Sequence, residues 1–411
     1  MSPDSLAEVL VSEASAHDLI ENRAMWPDDF HDCIPRIREV ANLDLDVPAD
    51  LRDGITKAAP SLLVDPALLD QCAAALIAGN IVLQGPPGTG KSTLARALAE
   101  AFNVDLLSVT AHDDWSTFDV IGRQELRVDE HNNEEIVPIN GHFTEAVIRC
   151  AGSIPSHVDD PSKRQATWLL IDELNRAHPD KAFGELFSVL GADEPIDIRL
   201  GYQKKGNDVL VVPRRFRIIA TVNSIDKQFV NALSQGLRRR FTFLTYDIPP
   251  RRGADEQWGS NSSITTREFT VVGASGTERA ARRTGRDRTD LKAYIDAPQV
   301  KALLEQLFEV VDRVRYATSG SDDPFIPIGT APLIDTVELF LIRSSQEDLD
   351  LSKAGLVLDW ATSVKLAPLF DAGSVNRDKL AHLAQSLTTP FDVLTRRAIL
   401  EIESDGLFYV Q

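Results

Sequence analysis

The run Gly85-Pro86-Pro87-Gly88-Thr89-Gly90-Lys91-Ser92-Thr93 has the residue types and the G-x-x-x-x-G-K-[ST] spacing of a phosphate-binding loop. Its glycines let the backbone curl into a cup of N–H groups. Lys91 can place a point charge on the β and γ phosphates, and Ser92 can offer its hydroxyl to Mg²⁺. An apolar run, Ile81–Leu83, precedes the loop and a helix-forming run follows it, so a helix N-terminus points its positive end at the same anion. A second group is Trp168-Leu169-Leu170-Ile171-Asp172-Glu173, an apolar strand ending in two acids. Asp172 suits Mg²⁺ and Glu173 suits polarisation of an attacking water, the two needs of phosphoryl transfer. Third, the apolar strand Ile218–Val222 ends in Asn223, whose amide could orient that water. Fourth, Arg238, Arg239 and Arg240 stand just before Phe241 and could give positive charge to a neighbouring subunit's γ-phosphate.

Each group has a plainer reading. Two acids after a strand are a common turn, an Asn in a turn is commoner still, and three arginines can be a solvated corner. What lifts them is order, since all three follow a phosphate loop that already has its strand and helix.

The elements that must position these groups can be read from periodicity. Between 80 and 248, short apolar runs alternate with helical stretches, the pattern of a parallel sheet with crossover helices. Strands are expected at Ile81–Leu83, Asp105–Thr110, Trp168–Ile171, Phe216–Thr221 and Phe241–Tyr246. A helix is expected over Pro66–Ala78, with Asp65 as its N-cap and Gly79 as its stop. Two hairpins are expected, one pairing 124–128 with 135–139 across His131-Asn132-Asn133, the other pairing 196–200 with 209–212 across 204–208.

Residues 1–61 read as an acidic helical segment broken by prolines, and 62–250 as the large α/β domain. Residues 251–290, rich in Gly, Ser, Thr and Arg, read as a flexible linker or insert with one short strand at Phe269–Val272. The arginines at 279, 282, 283, 286 and 288 could meet phosphate there, although a solvated segment is the simpler account. From 291 to 411 the pattern is helical, with apolar residues at helix spacing in Val300–Val314 and Ile334–Ile342.

The chain has 411 residues, a formal net charge of −19 and 43% hydrophobic residues, enough for a real core. The acidic balance disfavours general nucleic-acid binding, though not a local basic patch. Three scattered cysteines, Cys33, Cys72 and Cys150, suggest a reducing compartment and no disulfide framework. Cys72 lies in an apolar helical run and is expected in the core. The histidines lack metal-ligand spacing, and no apolar run is long enough to span a bilayer. A cytoplasmic protein is the expectation.

The four groups, in this order, resemble the AAA+ superfamily of ring-forming ATPases. GPPGTGKST is similar to its Walker A motif. LLIDELNRA is similar to the Walker B form of the McrB-like and MoxR-like branches, and ATVNSIDK with GLRRRF resembles the McrB-type sensor 1 and arginine-finger stretch. The resemblance runs over roughly 62–411. It implies an AAA+ P-loop domain with a C-terminal helical lid, Mg-dependent nucleoside triphosphatase activity with ATP favoured over GTP, and a homo-oligomeric ring of about six subunits. It makes Gly85, Pro86, Gly88, Thr89, Gly90, Lys91, Ser92, Thr93 and Asp172 the nucleotide-binding set, Ser92 and Asp172 the Mg²⁺ ligands, and Glu173, Asn223, Arg239 and Arg240 the catalytic set. The hairpins would be the branch's helix-2 insert and pre-sensor-1 hairpin, facing the pore. Two features depart from the pattern. The stretch Asn231–Gly236 lacks the Asp that McrB-like proteins place before the arginines, and Leu333 stands where MoxR-like lids carry a sensor 2 arginine. For a role, the resemblance offers remodelling or activation of a partner protein. It also offers an McrB-like motor in a restriction-type or antiviral complex that reaches DNA with a separate nuclease.

Overall fold

A computed structural model describes residues 38–128, 134–186, 189–190, 194–203, 208–223, 234–249, 264–371 and 375–404. The expectations for residues 1–37, for the turns at 131–133 and 204–207, and for 251–263 lie outside these. The chain divides into two units. The first takes in residues up to Leu62, Pro66–Gly85 and Lys91–Tyr246; the second takes in Leu63–Asp65, Pro86–Gly90 and Asp247–Gln411.

The first unit holds α1 (Leu51–Ala58), α2 (Pro66–Ala78), β1 (Asn80–Gly85), α3 (Lys91–Ala101) and β2 (Asp105–Thr110). There follow β3 (Gly122–Val128), β4 (Glu134–Asn140), α4 (His142–Asp159), β5 (Thr167–Asp172), β6 (Ile196–Arg199), β7 (Val209–Val212), β8 (Ile218–Asn223) and β9 (Phe241–Thr245). Strands β2-β5-β8-β1-β9 form one sheet whose pairs are all parallel. The sequence explains why β5 and β8 lie inside it. Both are near-continuous aliphatic runs, buried at every residue except the last, as strands covered on both faces must be. The polar last residues, Asp172 and Asn223, emerge at the same end. Helix α2 has the expected bounds, with the Gly79 N–H bonded back to the Ala75 carbonyl, and Cys72 is fully buried. Strand β8 begins two residues later than expected, because Pro213–Phe216 closes a turn first.

Both hairpins form. In β3–β4, Leu126 pairs with Ile136 in an antiparallel register, and in β6–β7, Ile198 pairs with Leu210. The stretch before α1 is tied to this unit through backbone groups. The Arg215 guanidinium donates to the Asp44 carbonyl at 2.7 Å, and Gln165 exchanges two hydrogen bonds with the Asp46 backbone.

The second unit is helical, with α5 (Ile264–Thr284), α6 (Arg288–Asp296), α7 (Pro298–Arg315), α8 (Thr330–Gln346), α9 (Ala354–Lys365), α10 (Arg377–Ser386) and α11 (Leu394–Glu403) around one apolar core. The expected strand at Phe269–Val272 is wrong, and from Ile264 onward so is the expected linker. Helix α5 runs through both. Its buried residues are Glu268, Val272, Gly276, Thr277 and Ala280, at helical spacing. Most of these are small or polar, so a search for large apolar residues at helix spacing passes over them. Gly276 sits where an added Cβ would come 2.7 Å from Val337 on α8, so the helices meet closely there. Four of the arginines of this region, 279, 282, 283 and 286, meet carboxylates. Arg279 bonds Asp335 at 2.8 Å, Arg286 bonds Asp348 at 2.9 Å, and Arg282 pairs with Glu278. Among the described residues, no helix is long and apolar enough to cross a membrane.

Candidate nucleotide site

Three strand ends build the site. The register pairs Gly85 of β1 with Asn223 of β8, and Ile171 of β5 with Ala220 of β8, so the C-terminal ends of three adjacent strands lie together. In open parallel sheets this is the end where ligands bind. Gly85 is forced to be glycine by a close approach, since a Cβ there would stand 1.9 Å from the Tyr246 carbonyl oxygen. Gly88 and Gly90 have φ of +74° and +102°, values that only glycine adopts readily. The Thr89 hydroxyl donates to the Pro86 carbonyl at 3.1 Å and braces the loop internally.

Helix α3 begins at Lys91. The Lys91 ammonium is buried and donates to the Gly85 carbonyl at 3.0 Å. Burial pulls its pKa down to about 8 from the usual 10.5, opposed in part by the negative charges of Asp172 and Glu173. At the next residue, the Ser92 hydroxyl donates to Asp172 Oδ1 at 2.8 Å. Thr93, beside it, is exposed. A serine hydroxyl beside a carboxylate is the kind of oxygen set Mg²⁺ accepts, with water and phosphate filling the remaining positions. Among the described residues no group of three or more His, Cys, Asp or Glu could hold a metal ion.

The acids are fixed by residues that motif spacing does not single out. The Thr221 hydroxyl donates to Asp172 Oδ1 and accepts from the Glu173 backbone N–H at 2.9 Å. Glu173 has φ 54° and ψ 46°, a left-handed conformation rare for a non-glycine residue and typical of constrained functional positions. Its carboxylate is held on both oxygens. Asn223 Nδ2 donates to Oε1 at 3.2 Å, and Arg176 Nε pairs with Oε2 at 2.7 Å. Buried Asn175 accepts from the Asn223 N–H at 3.3 Å. Thr221, Asn175 and Arg176 lie inside the ATVN and LNRA motifs, and that nearness is the only trace of them in the sequence.

Arg239 and Arg240 lie elsewhere. Phe241 pairs with Asn80, at the opposite end of β1 from Gly85. Five strand steps separate the two ends, about 17 Å at some 3.3 Å per residue. Both arginines line a cavity of about 430 Å³ with Asn80, Arg214 and Arg217. Arg238 is exposed beside them.

Comparison with known proteins agrees with this architecture. The family model for the AAA domain, dynein-related subfamily, matches residues 80–241. The EcoKMcrB subunit of the type IV methyl-directed restriction enzyme of Escherichia coli K12 is 30% identical over 179 residues, covering 42% of this chain and 35% of that protein. Uncharacterised proteins of Staphylococcus epidermidis and Staphylococcus haemolyticus are 26% and 27% identical over 170 residues, 41% of this chain and 55% of each of theirs. The matched region thus spans about a third to a half of these relatives. An AAA domain implies nucleotide binding and nucleoside triphosphatase activity. Residues 80–241, with their five-stranded parallel sheet and phosphate loop, form an AAA domain of the AAA+ superfamily, of the McrB-like and MoxR-like type.

Proposed function

We propose that the protein is an Mg²⁺-dependent ATPase that works as a ring of about six copies and uses hydrolysis to remodel or activate a partner protein. The observation that carries this reading is the connected set Lys91–Asp172–Glu173–Asn223 at the C-terminal ends of β1, β5 and β8. Gly85, Pro86, Gly88, Thr89, Gly90 and Thr93 supply the loop around the phosphates, and Lys91 matches their charge. Ser92 and Asp172 would hold Mg²⁺, and the charge neutralisation such an ion supplies is what phosphoryl transfer needs. Glu173 polarises the attacking water, and its carboxylate is aimed by Asn223 on one oxygen and Arg176 on the other. Thr221 keeps Asp172 and Glu173 in step, because its hydroxyl bonds to both.

Arg239 and Arg240 act in trans. About 17 Å of strand separates their end of β1 from Gly85, roughly double the reach of an arginine side chain, so a phosphate they touch belongs to another copy. That distance is the physical support for an oligomer with shared sites.

The similarity to EcoKMcrB favours one alternative role, as the motor of a restriction-type or antiviral complex that acts on DNA through a separate nuclease. The experiment is hydrolysis by the parent and by Glu173→Gln, with and without DNA. The variant should bind nucleotide normally and lose about two orders of magnitude in turnover, the scale of a lost positioned base. Parent-like turnover removes Glu173 from the mechanism. Stimulation by DNA selects the motor reading, and stimulation by a protein with no response to DNA selects remodelling.

A further inference from the structure

Residues Pro86–Gly90 of the phosphate loop group with the helical unit, and the contact that puts them there has a definite geometry. Helix α8 begins after Gly329, whose lack of a side chain leaves the first-turn N–H groups without the usual capping oxygen. One of them, the Ala331 N–H, donates to the Gly88 carbonyl at 2.9 Å. Gly329 itself lies flat on the Gly88–Thr89 peptide. A Cβ on it would stand 2.2, 2.4 and 2.6 Å from Gly88 C, Gly88 O and Thr89 N. On the other side, a Cβ on Gly88 would meet Pro332 Cδ at 2.6 Å. Two glycines therefore face each other, and neither tolerates a methyl group without movement.

The turn carrying Gly329 cannot retreat easily. Arg315, fully buried, donates to the Ile328 carbonyl at 2.7 Å and to the Gly329 carbonyl at 3.1 Å. It also makes a two-pronged pair with buried Glu268 at 2.8 and 3.0 Å, and Glu268 accepts from the Thr330 hydroxyl at 2.7 Å. Swinging either charge away would leave the other buried and unpaired, which is costly.

A trans peptide points its C=O and the following N–H in opposite directions. Holding the Gly88 carbonyl on α8 therefore turns the Thr89 N–H away from α8, and loop N–H groups are what a phosphate cup is made of. We propose that Gly329 and the first turn of α8, clamped by Arg315 and Glu268, are positioning elements that set the Gly88–Thr89 peptide for phosphate and so govern nucleotide affinity. The inference rests on the phosphate-loop reading above.

The test uses Gly329→Ala in the full chain. Gly329 has φ −72° and ψ 178°, ordinary extended backbone, so alanine is unstrained there and its methyl group acts through Gly88. Gly273→Ala, where nothing lies within 4 Å, is the control. Affinity for a non-hydrolysable ATP analogue with Mg²⁺ is read by calorimetry, and the unliganded melting temperature is read in parallel. Gly329→Ala should weaken binding about tenfold or more, the scale of one lost hydrogen bond to a charged group. Its melting temperature should fall somewhat, because the Gly88–Thr89 backbone must shift, so affinity is compared at a temperature where parent, variant and control are all folded. Ala331→Pro replaces the N–H that holds the Gly88 carbonyl with a ring CH₂, so it removes the hydrogen bond and pushes on the same peptide from a different atom; it should weaken binding in the same direction, and it decides alone if Gly329→Ala proves unstable. Parent-like affinity in the deciding variant overturns the inference. Failure of the parent itself to bind the analogue, or Lys91→Ala binding as well as the parent, sinks the phosphate-loop reading instead.

Discussion

The two units use buried charge in opposite ways. In the α/β unit, Lys91 is buried at the start of α3 with its ammonium on the Gly85 carbonyl, and burial lowers its pKa to about 8 against the opposing pull of the Asp172 and Glu173 charges. In the helical unit, Arg315 and Glu268 close on each other at two points, and the same guanidinium holds two further carbonyls. The first leaves a cation that burial disfavours and whose proton can titrate near 8. The second is complete and rigid. The difference separates a group kept ready for a ligand from a group that fixes backbone, although both are buried ions.

That contrast can be broken at its stronger side first. Arg315→Met leaves the Glu268 carboxylate buried and unpaired, which costs about 3–5 kcal/mol. Chemical denaturation should show that loss, and adding Glu268→Leu should recover much of it, because an apolar pair of similar volume avoids the desolvation penalty. Stability unchanged by Arg315→Met would mean that the pair is not the clamp described.

A smaller effect is expected at Lys91 and is read by pH. Its folded pKa, about 8, lies below the usual 10.5, so between those values the unfolded chain binds more protons and unliganded stability rises with pH. Nucleotide binding runs the other way. Phosphate favours the charged amine, so affinity should be flat below pH 8 and fall above it by up to about tenfold per unit, with proton uptake on binding. Calorimetry in buffers of different ionisation enthalpy measures both. Affinity independent of pH between 8 and 10 would show that Lys91 is not the phosphate's cation.

The α/β unit was the more legible in sequence, for a physical reason. A phosphate-loop pattern fixes residue types along one loop, and buried parallel strands need unbroken aliphatic runs, so the placement of Gly85–Thr93, Asp172 and Asn223 at neighbouring strand ends could be read directly. Thr221 and Arg176 could not, because their roles depend on which strand ends the fold brings together. Helix α5 was misread because close packing on α8 selects small residues, and β-branched Thr270, Val271 and Val272 mimic a strand. The Arg315–Glu268 pair spans 47 residues, and no local pattern announces it. The arginines at 279, 282 and 286, candidates for phosphate by composition, serve carboxylates within the helical unit.

The central claim is that each active site takes Glu173 from one copy and Arg239 and Arg240 from another. It is tested most directly by mixing two inactive proteins, Glu173→Gln and the double variant Arg239→Ala with Arg240→Ala. The double variant alone should keep its fold and its nucleotide affinity while hydrolysis falls by about 10³-fold, the scale of an arginine supplied in trans. Titrating one against the other should restore hydrolysis, with a maximum at an intermediate ratio, because some interfaces then pair an intact Glu173 with intact arginines. No recovery at any ratio, from protein that remains monomeric with nucleotide and Mg²⁺, would contradict the shared site.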